Sequence, residues 1–406
     1  MHQEAQLGSD IELQRFEPTA TTLGSTRIGN LDGKTTPFSA EVSHAQEQVT
    51  EVPESIAESQ NRQNATALPP VDGGIEAWTF VAAAFVLEAL VWGFGYSYGV
   101  FQDFYTHNPP FNTSSETAIA AVGTAGLAIQ YLEVIFLIIA HERWPHITRP
   151  MTWAALALFS GSLFLSSFAT KISHLIILQG ILFGIGGSAL YAPVIVWLSE
   201  WFVRRRSLAG SIIFGGSGVG GALFPVLVNV LLTKVGWRWT LRTCALIIAV
   251  CAGAALWFIK ARIPVSRNQP GQVKPVNMKF LKTPLFLVVA TTIFIQAIAY
   301  FPVALYMPTY TTALGLPIID GTLVLAVFNI ASVVGQIIFG YLCDRMPYAR
   351  VMIFSGVGSA LSAYLLWGFA HTLSLIFVFV VIFGGLSGGF SSIWPPASAE
   401  IAGMTS

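Results

Sequence analysis

The stretch WFVRRRSLAGSIIFGGSGVGG, from Trp201 to Gly221, decides how this chain is interpreted. Its second part, Gly216 to Gly221, satisfies the pattern G-x-G-x-x-G, which can mark a dinucleotide-binding turn. Its three consecutive arginines could mark a nucleic-acid patch. A cofactor turn needs a preceding strand and an acidic residue about 20 residues further on. No acidic residue occurs between Glu200 and Asp320, which speaks against the cofactor turn.

The residues around this stretch settle the question. Arg238 lies near the distance at which a phosphate-binding arginine could stand, so the missing acid is not decisive by itself. However, residues 207–233 carry no charge, and a membrane span needs only about 20 apolar residues. The whole chain is 54% hydrophobic and 10% charged, whereas soluble domains carry roughly 25% charged residues. We therefore predict a membrane span, and we expect no enzyme activity, cofactor, metal site or nucleic-acid partner.

The net charge of zero hides two different regions. Residues 1–76 hold four basic and twelve acidic side chains, whereas the remaining 330 residues hold 17 basic and nine acidic ones. The first 72 residues are polar and lack a sustained apolar pattern, which is typical of disordered segments. We predict a disordered cytoplasmic tail over residues 1–72.

Apolar runs follow one another after residue 76 and predict ten helical spans in an all-α membrane protein. Pro302, Pro308 and Pro317 indicate that the outer part of span 7 bends or leaves the bilayer. Gly368 and His371 separate the last two spans. The spans are 77–101, 117–140, 150–170, 172–199, 207–233, 243–259, one within 283–319, 321–343, and two within 351–399.

The Lys and Arg residues between the spans predict the orientation, because cytoplasmic loops carry an excess of both. With the tail in the cytoplasm, 13 basic residues fall on the inner side and four on the outer side. The sequon Asn112-Thr-Ser lies in the outer loop after span 1, so Asn112 is a candidate glycosylation site; a sequon that stays unmodified is the alternative.

The chain also repeats weakly with a period near 200 residues. Phe183-Gly184 matches Phe383-Gly384, and Glu200 matches Glu400. Two parallel six-span halves joined by a charged linker form a known transporter architecture. We predict a first half over 73–262, a cytoplasmic linker over 263–283, and a second half of four helices over 284–406.

Three motifs carry a family resemblance. The segment from Phe339 to Arg345 resembles the loop between spans 8 and 9 of the major facilitator superfamily. The segment Asp72-Gly-Gly-Ile-Glu-Ala-Trp78 resembles the opening of span 1 in its monocarboxylate porter family, in the fungal branch. The opening stretch resembles that family's span 5 signature at eight positions, which are Phe202, Arg205, Arg206, Leu208, Ala209, Gly216, Ser217 and Gly220.

The resemblance implies a two-half helical bundle of twelve spans that works as a secondary transporter. Measured against it, the last two spans are expected to be missing, since the chain stops just after span 10. A non-transporting truncated relative or membrane sensor is therefore an alternative. On family grounds the plasma membrane is the expected location and the vacuolar membrane the alternative. The oligomeric state stays open.

Glu88 and Glu133 are the two acidic residues inside predicted spans. Charges within spans are costly and usually functional, so both are candidates for proton coupling. Glu88 lies near the middle of span 1 and is also a candidate for the substrate cavity. The alternative for Glu88 is a helix face that is hydrogen-bonded to a neighbouring helix.

The family implies that spans 1, 4, 7 and 10 line the substrate cavity. Aromatic and amide side chains there suit an amphipathic ligand, although packing and interfacial roles are alternatives for each. No Lys or Arg lies in the middle of a span, and Ser332 and Gln336 stand where animal relatives carry an Asp/Arg pair. We therefore predict a small organic solute that is larger and less charged than lactate, either a carboxylate-bearing or an amphipathic metabolite. The cavity candidates are Glu88, Tyr96, Tyr191, Gln296, Tyr300 and Trp394.

Asp344 is a candidate gating residue. The resemblance implies that this loop acid contacts the start of span 5, whose helix dipole attracts a carboxylate. Arg205 and Arg206 are expected to add to that attraction, and Arg345 belongs to the same loop motif. No ATPase motif occurs, so an ion or substrate gradient is expected to drive transport. Import of monocarboxylates and efflux of a secondary metabolite remain competing functions.

Overall fold

The computed structural model describes residues 68–263 and 282–390, and helices are the only regular secondary structure in these ranges. The predicted tail up to residue 67, most of the predicted linker (264–281) and residue Trp394 lie outside the described residues. The helices are α1 Ile75–His107, α2 Glu116–Arg143, α3 Thr148–Ser166, α4 Ile172–Trp201, α5 and α6 within Arg206–Phe258, α7 Pro284–Ala313, α8 Ile318–Cys343, α9 Tyr348–Leu365 and α10 Leu373–Gly388.

Each of the ten predicted spans corresponds to one of these helices. The helix Arg206–Phe258 is continuous by hydrogen bonding, but Gly236 breaks it with φ 76 and ψ 167, which separates α5 (206–235) from α6 (237–258). Glycine tolerates this positive φ because it lacks a Cβ. Within the described residues, five helices are long and apolar enough to cross a membrane by length and composition, counting Arg206–Phe258 as one helix.

The structure does not test whether the outer part of span 7 bends or leaves the bilayer at its prolines, so this stays a prediction. Helix α7 continues through Pro302 and Pro308 and ends only at Ala313. A proline inside a helix removes one backbone hydrogen bond, and neighbouring helices make this tolerable in membranes. The chain then turns at Gly315, which has φ 79, and Pro317 stands as the N-cap of α8. The predicted separation of the last two spans is confirmed by a short 3₁₀ helix at Trp367–Phe369.

Two helices contain π-helical turns that the apolar pattern did not reveal. In α1 the π-helical turn covers Ala89–Gly93, directly after Glu88. In α4 it covers Ile176–Leu182. Such turns insert an extra residue into the helical ladder and occur frequently at functional sites. Both lie on helices that carry candidate cavity residues.

Glycines bring helix backbones into direct contact. A Cβ added at Gly220 in α5 would meet the Ala89 carbonyl oxygen and would lie 2.8 Å from the Cα of Gly93 in α1. At the contact between α8 and α5, a Cβ at Gly340 in α8 would meet the Ser211 side chain of α5. Lipid tails are as apolar as leucine, so packing of this kind holds membrane helices together.

The buried apolar side chains form separate clusters. The largest cluster draws all its members from residues 77–259, and two smaller clusters draw theirs from residues 285–390. Large apolar side chains such as Phe136 and Trp257 are exposed on the outside, which suits a lipid-facing surface. Helix α5 contacts both α1 and α8, so it connects the two groups of helices.

The helices alternate in direction, so their polar ends gather at two sides of the bundle. The side where α1 begins and α4 ends is called the basic end here. It contains the basic residues Arg143, Arg149, Arg204, Arg205, Arg206, Lys260, Arg262, Lys282, Arg345 and Arg350.

Candidate functional site

Glu88 is buried in the middle of the bundle. It is the last residue before the π-helical turn of α1 and is 5% exposed. Its Oε2 atom has no hydrogen-bond partner among the described residues. A Cβ at Gly216 of α5 would lie 2.9 Å from the Glu88 Cβ. The glycine that resembled a cofactor turn therefore lets α5 pack directly beside this carboxyl group.

An aromatic wall stands beside Glu88. The hydroxyl of Tyr191 in α4 faces the Glu88 carboxyl group, but it too lacks a partner with hydrogen-bond geometry. The ring centroid of Trp92 lies 6.3 Å from that of Tyr191 and 4.7 Å from that of Tyr131 in α2. The Glu88 carboxyl group and the Tyr191 hydroxyl group therefore lie together beside these aromatic rings.

Tyr96 and Tyr131 stand next to this wall. Their hydroxyl groups lie close to each other. Both side chains are accessible, with Tyr96 42% exposed and Tyr131 51% exposed. Asn329 of α8 lies on the same side, near Gly221 and Tyr96.

The second group of helices completes the site. Tyr300 of α7 lies within electrostatic range of Tyr96 and Tyr131, and its hydroxyl group approaches Ser332 of α8. Five helices therefore contribute to one set of polar and aromatic side chains. We call it the Glu88 cluster, and its members are Glu88, Trp92, Tyr96, Tyr131, Tyr191, Tyr300 and Ser332.

The predicted cavity residues come together only in part. Glu88, Tyr96, Tyr191 and Tyr300 belong to the cluster, and Gln296 precedes Tyr300 by four residues on the same helix face. The prediction did not include Tyr131. The sequence signal that could have identified Tyr131 is the polar pair Gln130-Tyr131, which lies in an apolar span about one turn before Glu133.

Glu133 lies apart from Glu88. Its Oε2 atom accepts a hydrogen bond of 3.1 Å from Ser188 on α4, and its side chain is partly exposed. The single hydrogen of Ser188 is shared, because its hydroxyl oxygen also lies 3.0 Å from the Gly184 carbonyl oxygen. Glu133 thus contacts a neighbouring helix, and its role in proton coupling stays a prediction.

A small cavity with a mostly apolar lining lies between α1, α2 and α4. Gln130 lines it and is fully buried, and neither of its amide atoms has a partner among the described residues. Gln179 lines the same cavity and accepts a bond of 3.2 Å from Tyr105. Buried amides of this kind are commonly satisfied by internal water.

Asp344 caps the start of α5, as the loop motif predicted. Its two carboxylate oxygens accept backbone N–H bonds of 2.9 Å from Ser207 and 3.0 Å from Leu208. Unpaired N–H groups at a helix start carry partial positive charge, so a carboxylate is stabilised there. This contact joins α8 to α5 at the basic end.

The predicted contribution of the arginines is not found. Within the described residues, neither Arg205 nor Arg206 forms an ion pair with Asp344. Arg206 instead donates to the carbonyl oxygens of Phe202 and Ser199 at 3.3 and 3.4 Å. Arg345 is exposed, and its guanidinium carbon lies 4.1 Å from the ring centroid of Tyr341. The helix backbone, not a basic side chain, holds Asp344.

Asp72, which precedes α1, caps the loop between α4 and α5. Its carboxylate accepts backbone N–H bonds of 2.9, 3.0 and 2.9 Å from Val203, Arg204 and Arg205. Partial burial alone would raise the pKa of Asp72, but these three bonds outweigh it and hold the pKa below its usual value. Asp72 therefore stays ionised near neutral pH.

Hydrogen bonds also connect the segments that flank α1, α4 and α6 near this capped loop. Glu200 accepts the backbone N–H of Arg262 at 2.9 Å, and the Arg262 side chain donates to the Pro69 carbonyl oxygen at 2.9 Å. Trp201 donates to the Lys260 carbonyl oxygen at 2.9 Å. The residues before α1, after α4 and after α6 thus form one hydrogen-bonded patch at the basic end.

Asn112 lies exposed in a turn between α1 and α2, away from the basic end. We expect Asn112 to carry an N-glycan when the chain is made in a eukaryotic secretory membrane. Glycosidase treatment should then increase the electrophoretic mobility of the protein, and Asn112→Gln should give the same mobility without treatment. Equal mobility of untreated, treated and variant protein would contradict this prediction.

The chain resembles known transporters over most of its length. The profile of the Major Facilitator Superfamily matches residues 89–405. The MFS transporter asaE of Aspergillus flavus is 28% identical over 344 residues, which cover 82% of this chain and 74% of that protein.

Two further relatives are named for their cargo. The aspyridones efflux protein apdF of Emericella nidulans is 27% identical over 342 residues, with coverage of 82% of this chain and 67% of that protein. The agnestins efflux protein AgnL12 of Paecilomyces divaricatus is 26% identical over 357 residues, with coverage of 88% and 80%. With its apolar helices and the family match, the chain is a multi-pass membrane transporter of the Major Facilitator Superfamily.

Proposed function

We propose that this transporter exports an amphipathic, weakly charged organic compound of the secondary-metabolite type. The observation that carries the proposal is the Glu88 cluster, which places one acid among aromatic rings and hydroxyl groups from five helices. Rings with a few convergent polar groups suit amphipathic ligands. The names of the aspyridones and agnestins efflux relatives support the same class of cargo.

Transport of a small monocarboxylate is the second candidate, and the motifs from Asp72 to Trp78 and in the opening stretch favour it. However, Asp72 caps the loop before α5, and Gly216 and Gly220 pack against α1. These motif residues therefore have structural roles in capping and helix packing, and the motifs do not identify the cargo. The described helices carry no Lys or Arg near their middle. A carboxylate buried among them would lose several kcal/mol of solvation free energy, and no opposite charge would offset that loss.

Alternating access supplies the mechanism that we propose. The basic end faces the cytoplasm, in agreement with its excess of Lys and Arg, and residues 1–72 form a cytoplasmic tail. Residues 73–262 and 284–406 act as two halves joined by a linker over 263–283, and the separate apolar clusters support that division. The Asp344 contact closes the cytoplasmic side, so the cargo site opens outward.

Proton exchange at Glu88 is the coupling step that we propose, with Glu133 as a second candidate. Glu88 is buried, and its Oε2 atom lacks a partner, so binding or losing a proton changes the charge of the site itself. A carrier that exchanges cargo for protons needs one group that both can reach. The plasma membrane is the proposed location and the vacuolar membrane the alternative.

Vesicles reconstituted with the full chain can test this function. Under an imposed pH gradient, we expect accumulation of an aspyridone or an agnestin and no accumulation of lactate. Glu88→Gln should abolish the gradient-driven accumulation, because the amide cannot release a proton. Glu76→Gln is the matched control, since Glu76 lies on the same helix but is exposed in its first turn.

Two results would contradict the proposal. Saturable lactate accumulation that Glu88→Gln abolishes would favour the monocarboxylate function. No accumulation of any of the three compounds would favour a chain that does not transport.

A further inference from the structure

The guanidinium group of Arg242 is held in place at the end of the bundle opposite the basic end. Arg242 lies in the second turn of α6. Its Nε atom donates a hydrogen bond of 3.0 Å to the Oγ atom of Ser167, a buried residue directly after α3. Because this bond reaches from one helix to the end of another, it fixes the orientation of the guanidinium group and connects α3 with α6.

Two aromatic rings lie against the same guanidinium group. Its carbon atom is 4.7 Å from the ring centroid of Phe168 and 4.9 Å from that of Trp239. Cations are attracted to the faces of aromatic rings at such distances. Phe168 is 56% exposed and Trp239 is 59% exposed, so both rings remain open to the surroundings of the bundle. Tryptophan rings of membrane proteins are enriched at the level of the lipid headgroups, which is where Arg242 is therefore expected to lie.

The positive charge of Arg242 is not balanced by the described part of the chain. Among the described residues, no acid forms an ion pair with Arg242, and the Ser167 hydroxyl oxygen is its hydrogen-bond acceptor. An arginine side chain carries five N–H donors, and this bond uses the one on Nε. The donors on the two Nη atoms are therefore available to an acceptor from outside the protein.

Other arginines near helix ends have different surroundings. Arg149, at the basic end, donates to backbone carbonyl oxygens at the end of α6. Arg238 lies one turn before Arg242 in α6, but it is exposed, and the contact given for it is with one ring, that of Trp237, at 5.2 Å. Arg242 differs from both because it combines a fixed orientation, two flanking rings and available donors.

A phosphate group has the chemistry that this arrangement requires. Its oxygen atoms can accept hydrogen bonds from both Nη atoms of one arginine, which is the forked geometry that a guanidinium group offers. A phospholipid also carries acyl chains, which can lie against the exposed rings of Phe168 and Trp239. Inorganic phosphate has no apolar part and gains nothing from these rings. The two rings therefore favour a phospholipid as the source of the phosphate group.

We propose that Arg242, Phe168 and Trp239 form a binding site for the phosphate group of a phospholipid in the leaflet opposite the basic end. The phosphate oxygens accept hydrogen bonds from the Nη atoms, while the upper part of an acyl chain lies against the two rings. Ser167 is a positioning residue, since it acts through Arg242. In the orientation proposed above this is the outer leaflet. The site is independent of the cargo and of Glu88.

Native mass spectrometry of the full chain can test this site. The protein is purified in detergent, freed of lipid and titrated with dioleoylphosphatidylcholine. The dissociation constant of the first bound lipid is compared with that of dioleoylglycerol, which has the same acyl chains and no phosphate. We expect the phospholipid to bind at least about tenfold more tightly, because a hydrogen bond to a charged group contributes about that factor or more. A further titration in excess inorganic phosphate distinguishes the two sources of phosphate, and we expect it to leave lipid binding unchanged.

Variants separate the site from a general effect of positive charge. Arg242→Gln should weaken phospholipid binding by about tenfold, to the level of dioleoylglycerol. Ser167→Ala keeps the charge but releases the guanidinium group, so it should weaken binding by about threefold. Arg238→Gln is the matched control, because it removes the same charge one turn away, from an exposed side chain, and should change binding by less than about twofold.

Thermal unfolding gives a second measurement on the same variants. A lipid that binds only the folded protein stabilises it. Dioleoylphosphatidylcholine should therefore raise the thermal midpoint of the original protein and of Arg238→Gln more than that of Arg242→Gln. If Arg242→Gln does not fold, the comparison of Ser167→Ala with Arg238→Gln decides in its place.

Three results would overturn the site. The first is equal affinity of the original protein for dioleoylphosphatidylcholine and dioleoylglycerol. The second is equal weakening by Arg242→Gln and Arg238→Gln, since overall positive charge would then explain the binding. The third is displacement of the lipid by inorganic phosphate, which would assign the donors of Arg242 to free phosphate instead.

Discussion

Replacing Gly220 by alanine should strongly destabilise the folded protein. A Cβ at this position would meet the Ala89 carbonyl oxygen and lie 2.8 Å from the Gly93 Cα. Both neighbours are backbone atoms, so no side chain can rotate away and the two helices must separate. Overpacking of this kind costs about 1–3 kcal/mol, and more where the backbone cannot move.

The helix displacement should also disturb the Glu88 cluster. Gly216 lies one turn earlier on α5 and packs beside Glu88, so separation of α1 from α5 alters the position of the carboxyl group. We therefore expect Gly220→Ala to lower both the thermal midpoint in detergent and the accumulation of an aspyridone or agnestin in vesicles under a pH gradient. Tryptophan fluorescence during heating and the vesicle assay are the two measurements.

Gly161→Ala provides the matched control. Gly161 lies inside α3, and a Cβ there would have no atom within 4 Å. Alanine is favoured over glycine in a helix interior by roughly 1 kcal/mol, so this variant should be as stable as the original protein or slightly more stable. A Gly220→Ala protein with the same thermal midpoint as Gly161→Ala would show that the α1 and α5 backbones are not in close contact.

The sequence predicted the spans well because a bilayer imposes a simple rule on helix length and polarity. Runs such as 207–233 are apolar throughout, so their interpretation does not depend on the tertiary structure. The prolines of span 7 are a different case. Whether a proline such as Pro302 bends the helix in which it lies depends on its neighbours, which the apolar pattern does not describe.

The site was predictable only where a polar residue stood out against an apolar helix. Glu88 was identified because a charge inside a span is costly. Tyr131 was missed because tyrosine is common at membrane interfaces, and only the folded bundle places its ring 4.7 Å from Trp92. The unsatisfied state of Glu88 and Tyr191 depends on atomic positions, so no sequence pattern could reveal it.

Asp72 and Asp344 show that a sequence motif can identify a residue without revealing its structural role. Both acids belong to motifs that the sequence made visible, and both cap backbone N–H groups around the start of α5. Asp72 belongs to the same group of helices as α5, whereas Asp344 belongs to the other group. Removing Asp72 should therefore weaken the fold, and removing Asp344 should change the relation between the two groups.

Asp344→Asn should open the basic end of the bundle. The carboxylate accepts N–H bonds from Ser207 and Leu208 at 2.9 and 3.0 Å, and an asparagine side chain offers one acceptor oxygen and no charge. Hydrogen bonds to charged groups contribute about 1.5–3 kcal/mol each. Loss of roughly 2–3 kcal/mol would shift the ratio of closed to open forms by about 30- to 140-fold, at 1.4 kcal/mol per factor of ten.

Spin labels across the basic end can measure this shift. Val203, in the loop before α5, and Met346, in the loop after α8, are 64% and 43% exposed, so labels at Val203→Cys and Met346→Cys should not disturb packing. The three native cysteines, Cys244, Cys251 and Cys343, are first replaced by alanine. We expect Asp344→Asn to lengthen the distance between the labels in most of the molecules.

Asp320→Asn is the control, because Asp320 lies in the first turn of the same helix at its opposite end and should leave the label distance unchanged. Asp72→Asn should lower the thermal midpoint while the label distance of the folded molecules stays the same. An unaltered distance in a stably folded Asp344→Asn protein would mean that the Asp344 cap does not hold the basic end closed. The small-residue contact of Gly340 with Ser211 would then be the remaining candidate for that closure, since it joins the same two helices one turn further into the bundle.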